Sequence, residues 1–485
     1  MKESDNKYAD TDKKGLLKGN LSKLKTLMIT AGVGLLVGSQ IYNPNKRVIE
    51  AIAGSILVLM LWNFSILASV WLILIIYPFP FAMSWGNSTS IFILIILLIY
   101  LIRVSTGYYK FHLDKTVFLP LLLLILSYIL SFINVPAGTR IMHIALVNTG
   151  NFLAAAIFML LIINFIDDEE KLRKTVNIML ITASLAIVFS IFEMIFPGKV
   201  LVPNWLYTTH KTRLIMKGIR MTGPFHDFEL NAEFLALNSF IIFFVLIRAR
   251  RTATRALLGI LLLTDLLMMF ATITRGAFFS LVLGIVYLMF LSRKDLNITK
   301  FVYIVGGLAV VIVVLEGFVA NYTTSGSLFD RVVKTTFQRG IIPTNRLGTW
   351  APAIERGMKH PWFGQGPGWD FSTGFNVGFW PHNLYLFYFN SLGIFGLLAF
   401  LFLIYRLVKS TFSGIKASIT RSPFPEAFMK ILHVVIVIFL FDQIKIEYLR
   451  NSTYTFFIWS LFGIIVATYN IIQKNRKERE NTAPS

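Results

Sequence analysis

The sequence predicts an all-α, polytopic membrane protein, a helical bundle with one long loop outside the membrane. Three observations predict it. Hydrophobic residues make up 55% of the 485-residue chain and charged residues only 15%, far from the balance of a soluble domain. The apolar residues come in runs of about 16 to 25, long enough to cross a bilayer as helices. Basic residues gather in alternate short loops between those runs, the pattern that orients membrane helices.

The elements follow in order. Residues 1–25 are polar for too long to be the basic region of a signal peptide and read as a cytoplasmic tail. A first transmembrane group, 26–196, is expected to hold helices near 26–42, 89–106, 116–134, 141–166 and 174–196. A central group, 229–318, holds 229–247, 254–273, 276–292 and 300–318. A C-terminal group, 383–473, holds 383–405, 430–449 and 454–472, and residues 474–485 form a second cytoplasmic tail. The run 48–82 has room for one tilted helix plus a re-entrant piece, or for two short helices turning near Asn63, Phe64 and Ser65. Basic loops at 103–115, 171–174, 248–255, 293–300, 406–430 and 474–479 place both termini in the cytoplasm. Parity then makes 48–82 cross twice, for about fourteen helices; about twelve remain if the first hydrophobic segments do not all cross.

The net charge of +21 does not indicate nucleic-acid binding, because much of it sits in short loops such as Arg248 to Arg255 and in the tail Lys474 to Arg479. Cysteine is absent, which excludes a disulfide framework, a thiol nucleophile and a thiolate metal site.

Two connections on the expected outer face are too long to be simple turns: residues 197–228, an outer basic loop, and residues 319–382. Both break the orientation rule. The first carries Lys199, Lys211, Arg213, Lys217 and Arg220 against Asp227; the second carries Arg331, Lys334, Arg339, Arg346, Arg356 and Lys359 against Asp330, Glu355 and Asp370. An anionic substrate such as a lipid diphosphate would account for outward cations. Non-specific attraction to anionic head groups would also account for the lysines.

Four constellations lie on that face. The first, Arg220 to His226 (RMTGPFH), is a Gly-Pro turn that holds an arginine beside a helix N-terminus, an end that favours anions; Asp227 fits there as the helix cap. The second, Thr272-Ile-Thr-Arg275-Gly276, confines an arginine between two apolar runs, where it needs a counter-charge or must snorkel to the head groups. The third runs from Arg346 through Trp350 to Glu355, then His360, Pro361, Gly364, Gly366 and Gly368. Pro352 suits the first turn of a short helix, and the glycines allow either close approach to a ligand or a tight loop. No βαβ unit surrounds them, so this is not a dinucleotide loop. The fourth is His382-Asn383, where the long loop re-enters the membrane, with Gly393 and Gly396 about three and four helical turns below on the same face. An imidazole titrating at about 6.5 can take a proton from a sugar hydroxyl; capping its helix or bonding a loop carbonyl is the plainer role for a single histidine.

Taken in order, these pieces resemble the O-antigen ligase and O-antigen polymerase superfamily of bacterial membrane glycosyltransferases. His382-Asn383 with Gly393-Ile-Phe-Gly396 resembles the family's histidine motif at full spacing. Arg346 to Trp350 with Pro361 and the glycine run resembles the segment before it, Thr274 to Ala277 the arginine turn, and Arg220 to Phe225 an earlier arginine-glycine turn. Residues 226–231 depart from the family's shorter turn into an asparagine.

The resemblance implies a GT-C-like membrane fold and a multi-pass enzyme of the bacterial cytoplasmic membrane with its site on the outer face. It implies an inverting, metal-independent glycosyl transfer without a cofactor. The donor and acceptor would be glycans on undecaprenyl diphosphate. His382 would act on the acceptor hydroxyl, and Arg220, Arg275 and Arg346 would bind the diphosphate. Asn383, Trp350, Gly364, Gly366, Gly393 and Gly396 would support them. Beyond the membrane lipids, the resemblance leaves room for a flippase and a chain-length regulator as partners. Polymerisation into a teichuronic-acid, capsular or exopolysaccharide type of polymer is the leading reading, because nothing here points to a lipopolysaccharide acceptor. Ligation to lipid A core is the alternative within the family. A transporter or flippase of lipid-linked sugars is the alternative of another class, and would place ionisable residues and broken helices mid-span. A membrane scaffold leaves the arginines unexplained.

Overall fold

A computed structural model describes residues 62–80, 82–83, 86–196, 221–293, 310, 313–317, 344–368 and 381–482. The expected helix at 26–42 lies outside them, as does most of 300–318. The described elements are α1 (Ile66–Ile76), the two-residue strands β1 (Ala82–Met83) and β2 (Gly86–Asn87), α2 (Ser88–Ser105), α3 (Phe118–Ser131), α4 (Arg140–Phe165), α5 (Glu169–Ile195), α6 (Phe228–Arg248), α7 (Thr252–Ala271), α8 (Arg275–Leu291), α9 (Thr344–Gly357), α10 (Leu384–Thr411), α11 (Phe424–Asp442) and α12 (Ser452–Thr482).

Among the described residues, eight helices are long and apolar enough to cross a membrane, and α1, α3 and α8 are shorter apolar helices. The all-α, polytopic membrane bundle follows. The chain bends at Phe64 before α1, and residues 48–61 of that run lie outside the described residues.

By its contacts the chain forms two units. In the first, comprising residues 1–69, 83–85 and 95–109, Arg103 donates to the carbonyls of Trp62 (2.6 Å) and Phe64 (3.4 Å). The second unit, residues 70–82, 86–94 and 110–485, holds everything that follows. Its centre is α6, α11 and α12, whose spanning windows are 78%, 78% and 89% buried. α12 lies along α4, α10 along α3, α7 along α6, and α8 against α11. Large rings fill the seams: Tyr128 of α3 stacks on Phe152 of α4 (4.0 Å between centroids), and Phe152 meets the edge of Trp459 of α12 (5.4 Å).

Several boundaries differ from those expected. The basic stretch 171–174 is the start of α5 rather than a loop. Asp168 caps that helix by accepting from Lys171 N–H (2.8 Å), and Glu169–Arg173 and Glu170–Lys174 pair across a turn. α11 occupies 424–442 instead of 430–449, because Pro425 stands in its first turn and Gln443 to Asn451 are used elsewhere. α9 begins at Thr344, so Pro352 lies inside the helix and not in its first turn.

Candidate active site

The site is best built from the connection between α11 and α12, Gln443 to Asn451, which leaves the helical path because its polar groups bond to other helices. Gln443 donates to both oxygens of the buried Glu233 on α6 (2.9 and 3.1 Å). Glu233 also accepts from Tyr454 Oη (2.8 Å). The Gln443 carbonyl accepts from Leu384 N–H (2.9 Å), and the Ile444 carbonyl from Asn383 Nδ2 (3.1 Å). The start of α10 is therefore tied to this connection at two backbone positions.

Asn383, not His382, caps α10: its side-chain oxygen accepts from Leu386 N–H (3.0 Å). That leaves His382 one residue before the cap, in a left-handed conformation (φ 48°). Its preceding carbonyl, that of Pro381, accepts from the indole N–H of Trp350 on α9 (3.0 Å). Beneath His382 lies Glu447, fully buried, with a carboxylate oxygen 3.9 Å from His382 Nδ1. Arg450 Nη1 is 3.8 Å from the same carboxylate oxygen, and Arg450 Nη2 bonds Asp227 (2.8 Å) and Glu229 (2.9 Å) at the start of α6. Burial disfavours the Arg450 cation, but the three carboxylates outweigh it and hold the guanidinium above its ordinary pKa.

The two earlier turns reach the same place. Asp227 caps α6 as expected, accepting from Glu229 and Leu230 N–H (2.8 and 3.2 Å). The Gly-Pro turn before it forms at Gly223–Phe225 and rests on Glu193 of α5. Glu193 accepts from Thr222 N–H, Thr222 Oγ1 and Gly223 N–H (3.0, 2.6 and 2.8 Å). Asn451 Nδ2 donates to the Phe225 carbonyl (2.8 Å), which brings that turn onto the α11–α12 connection. Arg220 itself lies outside the described residues.

Three residues separate α7 from α8, and Arg275 is the first residue of α8, half-buried. Thr274 Oγ1 donates to the Phe228 carbonyl (3.2 Å), joining this turn to the start of α6. A Cβ on Gly276 would come 3.1 Å from Asp442 Oδ1 and 3.6 Å from Lys445 Nζ. The arginine turn is therefore packed against the end of α11 and against Lys445, which stands two residues before Glu447. Among the described residues, His226, Ile273 and His382 are the non-glycine residues with a positive φ, one in each of the three turns. For the β-branched, buried Ile273 that conformation is costly, and such strain gathers where a fold over-determines a functional site.

The third motif meets the fourth through backbone. Gly393 has φ 68° and ψ −169°, so α10 is broken there and His382, Gly393 and Gly396 do not share one continuous helical face. Into the break runs Pro361 to Gly366, whose hydrogen bonds to residues 390–395 replace the helical ones. The Cβ positions of Gly364, Gly366 and Gly368 are taken up by Ser391, by Val135 and by Ile141, so these glycines seat the loop on α10 and on the ends of α3 and α4. That is the tight-loop alternative, and it excludes a ligand from those Cβ positions. Gly396 packs on α3, where a Cβ would come 3.2 Å from Ser127 Oγ. Arg346 lies in the first turn of α9, four positions before Trp350. Among the described residues, no group of three His, Asp or Glu side chains is placed to hold a metal ion.

Of the residues singled out in the sequence, His382, Asn383, Trp350, Arg275 and the glycines converge on one end of the bundle. Glu447 and Arg450 were missed, and so was the turn that carries them. The available signal was the alternation of Ile444, Ile446 and Tyr448 with Lys445 and Glu447, a period of two that does not fit a helix.

No curated protein matches the chain. Residues 260–401 match the O-antigen ligase family, a stretch that contains the arginine turn, α9, the glycine loop and the histidine motif. The family indicates glycan transfer of the O-antigen ligase or polymerase type by a multi-pass membrane protein. With three of the four motifs inside that stretch in the expected order, the chain is similar to the O-antigen ligase/polymerase superfamily over residues 260–401.

Proposed function

We propose that the protein is an inverting glycosyltransferase that joins glycan repeat units carried on undecaprenyl diphosphate into a cell-surface or cell-wall polysaccharide, at the outer face of the bacterial cytoplasmic membrane. The observation that supports this most is the convergence of the His382 turn and the Arg275 turn on the connection Gln443 to Asn451. A base and a cation held at one end of an apolar bundle suit a reaction that moves a proton off a sugar hydroxyl and develops charge on a diphosphate.

In this reading His382, with 31% of its side chain exposed, accepts the proton of the acceptor hydroxyl. The acceptor oxygen attacks the anomeric carbon in line with the departing diphosphate, so the configuration inverts. Arg275, with Arg220 and Arg346, offsets the leaving-group charge, and no metal is needed if arginines do this.

Purified protein incubated with lipid-linked repeat units, followed by gel separation, tests it. A ladder of lengths is expected. Transfer to added lipid A core without a ladder would make the protein a ligase, and neither product would return the transporter reading.

A further inference from the structure

We propose that Glu447 is the positioning carboxylate of His382: it selects the imidazole tautomer protonated on Nδ1, leaves Nε2 to take the acceptor proton, and steadies the imidazolium that results. The proposal deepens the glycan-transfer reading above and rests on it.

Three observations carry it. The first is position. Glu447 is fully buried and its carboxylate faces His382 Nδ1 at 3.9 Å, within ion-pair range and wider than a hydrogen bond; such contacts commonly tighten when substrate binds. The second is rigidity. The two turns are tied together on both sides of the pair: Leu384 N–H and Asn383 Nδ2 bind the carbonyls of Gln443 and Ile444 (2.9 and 3.1 Å), and Tyr448 N–H binds Gln443 Oε1 (3.0 Å). The third is charge. The guanidinium of Arg450 faces Asp227 and Glu229 as well as Glu447, and its Nη1 stands 3.8 Å from the same Glu447 oxygen that faces His382. A cation formed on His382 is attracted to that carboxylate.

The proton balance is complete. The acceptor O–H bond breaks and its proton passes to His382 Nε2. The freed oxygen bonds to the anomeric carbon, and the bond from that carbon to the diphosphate oxygen breaks, its electron pair leaving on the diphosphate. The imidazolium then loses its proton to water. Other charged groups at this end are Asp442, the last residue of α11, Lys445 in the connection after it, and Arg275 on α8.

The test uses the full chain in lipid nanodiscs with a lipid-diphosphate-linked glycan as donor, and transfer rates measured across pH. The wild-type rate should rise with pH as the imidazole loses its proton. Glu447→Gln should lower kcat by about 100-fold at unchanged donor KM. It should also move the midpoint of that rise down by about one pH unit, since removing an adjacent negative charge disfavours the imidazolium. Glu447→Asp should recover part of the rate. A folded Glu447→Gln protein with wild-type kcat and an unmoved midpoint would overturn the proposal. If Glu447→Gln does not fold, nuclear magnetic resonance titration of His382 in the wild type decides, its signal identified by its loss in His382→Ala. A midpoint above about 6.5 supports the proposal and one at or below it overturns it. Absence of transfer by the wild type would sink the glycan-transfer reading itself. Transfer that needs His382 but ignores Glu447 would sink only the positioning role.

Discussion

Gly364 and Gly393 occupy matching positions on two chain segments that run against each other, both at φ 68°. A Cβ on Gly364 would lie 2.3 Å from the carbonyl carbon of Ser391, and one on Gly393 would lie 2.3 Å from that of Trp362. Around them Ile394 N–H binds the Pro361 carbonyl (2.8 Å), Gln365 N–H binds that of Asn390 (2.9 Å) and Gly366 N–H that of Ser391 (2.9 Å). The break in α10 and the glycine loop are thus one structural feature.

Alanine at either glycine should therefore destabilise the protein. The left-handed backbone alone costs roughly 1 kcal/mol or more for a residue with a Cβ, and the clash with backbone adds to it. Gly259 on α7 is the control: it has no neighbour within 4 Å of its Cβ position, and alanine there should be neutral or stabilising by up to about 1 kcal/mol. Thermal unfolding in detergent checks this. Equal melting temperatures for Gly364→Ala, Gly393→Ala and Gly259→Ala would contradict the backbone pairing.

Trp350→Phe isolates one hydrogen bond. The ring volume is largely kept, while the donor to the Pro381 carbonyl is lost. The expected result is a cost of about 1 kcal/mol in stability and a several-fold fall in kcat, because the residue whose carbonyl is released directly precedes His382. An unchanged kcat would mean that α9 does not hold the histidine turn.

How much of this was legible beforehand depends on range. The spans were visible because each apolar run records its own burial: α2 and α4 fall within a residue or so of their expected limits. Asp227 was legible as a cap for the same reason, since its acceptor role is satisfied two and three residues away. The turn Gln443 to Asn451 was not. Ile444, Ile446 and Leu449 extend the apolar pattern of α11, and what ends the helix is a set of bonds to Glu233, Leu384 and Asn383, between 61 and 210 positions away in sequence for the side-chain pairs. Gly393 was expected on one continuous helical face with His382 and Gly396, and only the presence of Pro361 to Gly366 beside it makes it a break. Glu193 and Glu233 stood within apolar runs without any local sign of the groups they serve. Local pattern reveals helices and caps; a site assembled from distant turns leaves only hints.

Arg450 is the counter-charge for three carboxylates, and its removal should be severe. Arg450→Met removes the shared cation from the fully buried Glu447 and from the half-buried Asp227 and Glu229, and leaving a buried charge without its partner costs about 3–5 kcal/mol. Arg450→Lys should recover only part, because one ammonium cannot reproduce the contacts that Nη1 and Nη2 make in two directions. Denaturant or thermal unfolding of the three proteins measures the order. A lysine variant as stable as the wild type would show that charge alone, and not the guanidinium fork, is what the site requires.

His382 and Arg275 should fail in different ways if one handles the acceptor proton and the other the leaving diphosphate. His382→Ala removes the base: the protein should fold, bind the lipid-diphosphate donor with unchanged affinity, and make no long polymer. Arg275→Gln should instead weaken use of the donor, raising KM and lowering kcat together by about 100-fold or more, because a charge-assisted contact to the diphosphate strengthens as the bond breaks. The distinction can be read with a donor whose diphosphate is already a better leaving group. Such a donor should restore much of the Arg275→Gln rate, since less charge stabilisation is needed, and should do nothing for His382→Ala, whose acceptor is still protonated. Equal rescue of both variants would place the two residues in one role and remove the basis for separating base from anion clamp.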